Sequence, residues 1–162
     1  MLNKGFLSEL QHEATSTKKI LERVPEDKLD WKPHEKSMTL GRLATHIAEL
    51  TRFITIILTS DELDFATGKY KPTIAKSSEE LLQIFREKLD GAIEALKNAS
   101  DEKMRENWSL RNGEQIFFTL PRMAAIRGLA MNHIIHHRGQ LSVYLRLLDV
   151  PVPGMYGPTA DE

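Results

Sequence analysis

Four separate segments of this chain place apolar residues along only one helical face, and that pattern limits the possible folds more than any other feature. Over residues 3–24 the arc holds Leu7, Leu10, Ala14, Thr17, Leu21 and Val24, and Pro25 stops the helix. Over residues 39–59 it holds Leu40, Leu43, Ile47, Leu50, Ile54 and Ile57, with Ser37 the expected cap. A Ser77-Ser78-Glu79-Glu80 capping box opens a third segment, 78–98, whose face is Leu81, Phe85, Leu89, Ala92 and Leu96. The longest segment runs from Pro121 to Leu148 and aligns Ile126, Ala130, His133, His137, Leu141, Tyr144 and Leu148. Helices with one apolar stripe bury it against one another. The expected fold is therefore all-α, a four-helix bundle forming one domain over residues 1–162.

The connections read as follows. Residues 26–36 form a polar connection that holds Trp31 between charged neighbours, expected to lie as a lid on the bundle end, and His34 beside Pro33 reads as a surface residue. Residues 61–76 form a loop with Gly68 and Pro72, in which Tyr70 is expected to cover apolar surface. Between Trp108 and Phe118 the dipeptide Asn112-Gly113 suits a type I′ hairpin, with an irregular loop as the alternative. The tail from Val150 to Pro158 is too rich in proline and glycine for a helix and is expected to lie extended over the surface.

A net charge of -1 without a large basic block gives no support for nucleic acid or an anionic membrane as partner. With no cysteine, the chain has no disulfide, thiolate ligand or cysteine nucleophile, so any thiol chemistry needs an external thiol. No N-terminal signal pattern is present, and the apolar run Phe53–Leu58 is too short to span a bilayer; the expected compartment is the cytoplasm.

Chemistry concentrates in the last segment. His133 and His137 stand four apart, so both point into the bundle, while His136 turns to the side. Burying two imidazoles in an apolar stripe is costly unless their nitrogens are paired. A shared divalent metal answers that need and recruits His46 from the second helix; hydrogen bonds to backbone, tyrosine or water would answer it too. Three imidazoles leave a coordination position open, the catalytic pattern. Glu49, one turn beyond His46, and Gln140, near the ligand face, are the candidates to orient or deprotonate a nucleophile.

Other polar motifs read as less specific. Glu9 and His12 spell half of a di-iron motif, but they face outward without a second copy and read as a solvated pair. Arg122, Arg127, Arg138 and Arg146 read as residues that solvate the last helix. Gly128 and Gly139 share its opposite face with Ala124, Ile135 and Ser142. Glycine inside a helix costs about 1 kcal/mol relative to alanine, which suggests close approach of another backbone: a helix of the same bundle, or a homodimer partner.

Two stretches, Leu43-Ala44-Thr45-His46-Ile47 and Asn132-His133-Ile134-Ile135-His136-His137-Arg138-Gly139-Gln140-Leu141, resemble the DinB/YfiT-like family of metal-binding four-helix bundles. Val24-Pro25, Asp30-Trp31-Lys32-Pro33, Tyr144-Leu145-Arg146 and Tyr156-Gly157-Pro158-Thr159-Ala160-Asp161 are similar too. The resemblance implies metal ligands at His46, His133 and His137, with His136 at a non-ligand position. It further implies a zinc- or nickel-type divalent ion, a homodimer and cytoplasmic residence. Thiol-dependent transferases and isomerases that use bacillithiol or mycothiol on electrophilic small molecules are the activities it suggests. Two functions follow: a metal-dependent thiol S-transferase (or, at further remove, a hydrolase), and a non-catalytic stress-response protein with a structural or sensory metal.

Overall fold

All four apolar stripes fold as helices. The structure, a computed structural model, describes residues 1–68 and 73–162; the expectations placed on Tyr70 and Pro72 lie outside the described residues. In chain order the elements are α1 (Leu2–Leu21), α2 (Leu40–Glu49), α3 (Arg52–Thr59), β1 (Glu62–Asp64), α4 (Ser78–Asn98), α5 (Asp101–Arg105), β2 (Asn107–Asn112), β3 (Gln115–Pro121), α6 (Arg122–Ala125), a π-helical segment (Ile126–Met131) and α7 (Asn132–Leu147). Helix α4 packs against α1, α2 and α3, and α7 packs against α1 and α2.

Local chemistry sets the boundaries. Thr39, not Ser37, caps α2, its hydroxyl accepting from the Arg42 N–H at 3.2 Å. The N–H groups of Leu40 and Gly41 reach back to the carbonyls of Trp31 and Leu29, at 2.8 Å each, which draws the preceding loop tightly over the helix start. A Cβ on Gly41 would stand 3.2 Å from Leu29, so any larger residue would push the loop outward by a few tenths of an ångström. Ser77 caps α4 as its sequence foretells, accepting from the Glu80 N–H.

Two of the expected helices are not uniform. The second tightens at Leu50–Thr51, where the N–H groups of Leu50, Phe53 and Ile54 bond carbonyls three residues back. In the last helix, Ile126–Met131 is wound as a π-helix, the Asn132 N–H reaching the Arg127 carbonyl five residues back. Helix α3 packs on this wide turn. One extra residue in a turn rotates everything downstream by about 100°. The buried face of α7 is consequently Ile134, His137, Arg138, Leu141 and Leu145, with Tyr144 only half-buried.

The hairpin forms and joins a small sheet of order β1-β2-β3, with β1 parallel and β3 antiparallel to β2. Its turn is Gly113-Glu114, not Asn112-Gly113. Gly113 alone of the two takes positive φ, as a type II′ turn requires and a type I′ turn does not. Asp64 on β1 accepts the Gly113 N–H at 2.9 Å and so fixes the turn to the neighbouring strand. Trp31 packs edge-on against Tyr144 at 5.6 Å, the lid expected of it.

Two apolar clusters form the core. One gathers Leu10, Leu50, Ile54, Trp108, Ala130 and Ile134; the other gathers Ala14, Leu43, Ile47, Phe85, Leu141 and Leu145. Between them along the helices lies a polar layer that holds Glu13, Thr17, His137 and Arg138, all buried. Arg138 donates to the Glu13 carbonyl at 2.9 Å, the Glu13 carboxylate at 2.5 Å and the Thr17 hydroxyl at 3.2 Å. Tyr156 of the tail meets the same guanidinium and donates to Glu13 at 2.8 Å.

The expectation that the arginines solvate the last helix is therefore wrong for Arg138 and for Arg122, which is 1% exposed. Arg122 donates to the carbonyls of Ile57 and Ser60, which the end of α3 leaves unpaired, and pairs with Asp61 at 3.0 Å. Arg127 binds Glu9, so Glu9 is an inter-helix ion pair while His12 stays exposed; Arg146 binds Asp161 of the tail.

Removing one member of a buried ion pair strands the other. Glu13→Leu is expected to cost about 3–5 kcal/mol, read as a fall in denaturant midpoint. Glu13→Leu combined with Arg138→Met should recover much of the loss.

Candidate metal centre

His46 comes from the last turn of α2, and His133 and His137 come from the first two turns of α7. Their ring nitrogens gather so that one from each lies within 4.8 Å of the others, a group able to hold a metal ion. The His133 and His137 Nε2 atoms are 2.8 Å apart, and the His46 and His133 Nε2 atoms 3.4 Å. His137 is buried; the other two rings are half-buried.

The far sides of the α7 rings decide what the near sides offer. His133 donates its Nδ1–H to the Leu129 carbonyl at 3.2 Å, an oxygen inside the π-helical segment. His137 donates its Nδ1–H to the Gln140 Oε1 at 2.7 Å. A neutral imidazole carries one proton, so both Nε2 atoms present lone pairs. Two lone pairs facing each other at 2.8 Å repel unless a cation or a proton lies between them.

A proton is opposed. Burial, then the neighbouring His137, His133, Arg42 and Arg52, pushes His46 down to about 3. Burial is also the leading cause that holds His133 and His137 below the ordinary histidine range, against the partial support of Leu129 and Gln140. A metal ion fits. Nitrogens about 2.0–2.1 Å from a tetrahedral ion stand about 3.3 Å apart, which matches the 3.4 Å between His46 and His133 and asks the 2.8 Å between His133 and His137 to open slightly. His46 Nδ1 is buried without a partner, so this ring lacks the outer support of the other two.

The remaining expected residues fall nearby in different roles. Gln140 contacts His137 directly, so it orients a ring of the cluster. Glu49 is 3% exposed; its Oε1 accepts from Thr73 at 2.6 Å and faces Arg52 at 3.6 Å, while its Oε2 has no hydrogen-bond partner among the described residues. It stands outside the histidine group. His136 is exposed, and its ring lies edge-on to His137 at 4.9 Å. His34 bonds only its own loop.

Sequence reading passed over Arg42 and Arg52, the two cationic neighbours of His46. Their signal is present all the same: Arg42 lies one helical turn before His46, hence on the same face.

A profile of the DinB family matches residues 1–162. The chain belongs to the DinB family. A curated relative, the uncharacterized protein YrdA of Bacillus subtilis, is 26% identical, over 97% of this chain and 89% of its own. The crystal structure of a DinB-like protein from Bacillus cereus matches with TM-score 0.71 and 27% identity, covering 94% of this chain and 97% of the other. A second DinB-like protein, YjoA of Bacillus subtilis, shares the fold with TM-score 0.72 at 21% identity, covering 92% and 96%. Among the described residues no helix is long and apolar enough to cross a membrane.

Cutting the outer support of a ligand ring weakens a metal more than it weakens a fold. Gln140→Leu is expected to lower divalent-metal affinity by about 10–100-fold, measured by competition with a chelating dye, with little change in the melting temperature of the metal-free protein.

Proposed function

We propose that this DinB-family chain is a metal-dependent enzyme that activates a low-molecular-weight thiol, or water, for attack on an electrophilic small molecule. The carrying observation is the pair of lone pairs on His133 and His137, forced towards each other by the Leu129 and Gln140 contacts. His46, His133 and His137 are the ligands in this reading, and zinc or nickel suits three imidazoles. When bound, such an ion lowers the pKa of a thiol or water beside it.

The chain's own residues divide the remaining tasks. Leu129 and Gln140 hold the two α7 rings in the right tautomer and orientation. Glu49, whose buried Oε2 has no hydrogen-bond partner among the described residues, is the group we assign to accept the proton released by the nucleophile. The sulfur then bonds to the electrophilic carbon, and the leaving group departs with its electron pair. A chain without cysteine must take its thiol from solution, and cytoplasmic residence, where such thiols stay reduced, fits this reading. A purely structural metal is normally closed by four protein ligands, whereas the described residues gather three.

With zinc- or nickel-loaded protein, bacillithiol and 1-chloro-2,4-dinitrobenzene, the expected result is conjugation with release of chloride. His137→Ala should lose both the metal and the rate. Equal rates for wild type and variant would refute the assignment. Stabilisation by metal without turnover of any thiol–electrophile pair would instead favour a structural or sensory metal in a stress-response protein.

A homodimer belongs to the same proposal. Gly128 and Gly139 are exposed, and among the described residues nothing beyond their own helix turn comes within 4 Å of a Cβ at either. Val143 and Leu147 stand 56% and 57% exposed further along the helix. Sedimentation of Leu147→Glu is expected to show monomer where wild type shows dimer; a monomeric wild type would remove this part of the proposal.

A further inference from the structure

Most guanidinium groups that touch the bundle interior end on acceptors within the fold. Arg122 closes α3, Arg138 meets Glu13, Arg127 meets Glu9, and Arg111 pairs with Glu62 and Asp64. Arg42 differs. Its side chain has no hydrogen bond or ion pair to any described residue, and its Nη1 is buried with no partner. A buried donor without an acceptor is destabilising, so its position needs a reason.

Location supplies one. Arg42 lies one turn before His46 on α2, and its charge bears on both His46 and His137, which come from different helices. The guanidinium is therefore within electrostatic reach of two of the three rings. A cation held by those rings and the Arg42 charge would repel each other across a partly buried space. An anion between them relieves both. Glu49 is poorly placed for this, since one of its oxygens is already held by Thr73 and faces Arg52. Planar, forked guanidinium donors match the two oxygens of a carboxylate.

We propose that Arg42 is the anion-recognition residue of the centre, holding the carboxylate of a small substrate beside the three histidines. This rests on the metal reading above and names the substrate class: a molecule bearing a carboxylate, whether on the thiol or on the electrophile.

Calorimetric titration of zinc-loaded protein with succinate, mercaptosuccinate and 2-mercaptoethanol tests it. Succinate should bind wild type, and Arg42→Gln should weaken it by at least about tenfold, the size of one charge-assisted hydrogen bond, at unchanged zinc content and melting temperature. Arg42→Lys, which keeps the charge but loses the fork, should fall between the two and serves if the glutamine variant does not fold. Arg86→Gln, on the exposed face of α4, should bind like wild type. Succinate that ignores Arg42, fails to bind wild type, or is lost equally in Arg86→Gln overturns the inference. A gain of mercaptosuccinate over succinate places the carboxylate on the thiol. No such gain, with succinate still dependent on Arg42, leaves the inference standing and places the carboxylate on the electrophile. Failure of 2-mercaptoethanol and mercaptosuccinate alike to show any thiol contribution counts against thiol activation while Arg42 keeps its role.

Discussion

The buried pairing of Arg138 with Glu13 is the interaction on which the other polar contacts of the bundle depend. It joins the last helix to the first at the level where two apolar clusters meet, and it recruits Tyr156 from the tail. A charge so deep is tolerable only because its donors reach a carbonyl, a hydroxyl and a carboxylate together. Arg138 follows His137 directly in sequence. The rotation that aims Arg138 at α1 is therefore the rotation that aims His137 at α2. Structural lock and candidate metal centre share one helical phase.

That phase comes from two irregularities in facing elements. The π-helical turn at Ile126–Met131 widens the last helix just before His133, and its Leu129 carbonyl receives the His133 ring. Opposite it, the tight step at Leu50–Thr51 follows Glu49 and lets α3 close on the wide turn. Departures from regular winding cost hydrogen-bond geometry, and π turns are frequent at functional sites. Here the wide turn provides an acceptor that leaves the reactive nitrogen of His133 unprotonated.

The electrostatics around the rings work in one direction. Burial and the neighbouring histidines, joined by arginines at His46 and His137, disfavour the imidazolium forms, so the nitrogens stay neutral and available to a Lewis acid. The same positive surroundings would draw an anionic ligand towards the centre. Family membership is consistent with this arrangement without specifying a reaction, since the curated relative is itself uncharacterized.

Much of this was legible in the chain. Stripes such as Leu81, Phe85, Leu89 and Leu96 announce helices because an amphipathic period is a local property. The spacing of His133 and His137 places them on one face for the same reason, and the Ser77 cap sits where its sequence puts it. Other features were decided only by folding. Arg122 and Arg138 look like surface cations, because burial of a charge depends on acceptors that lie 65 and 125 positions away. The π turn has no single-residue signature; it answers the packing of α3 against the last helix. Gly113 heads the hairpin turn, rather than following Asn112 within it, because Asp64 on a neighbouring strand binds its N–H. The sequence by itself determined which faces are apolar and which helices carry histidines, since these follow from neighbours a turn apart. The tertiary structure alone decided that three rings meet and that two of them present lone pairs, because both depend on contacts between segments distant in the chain and on the winding that packing imposes.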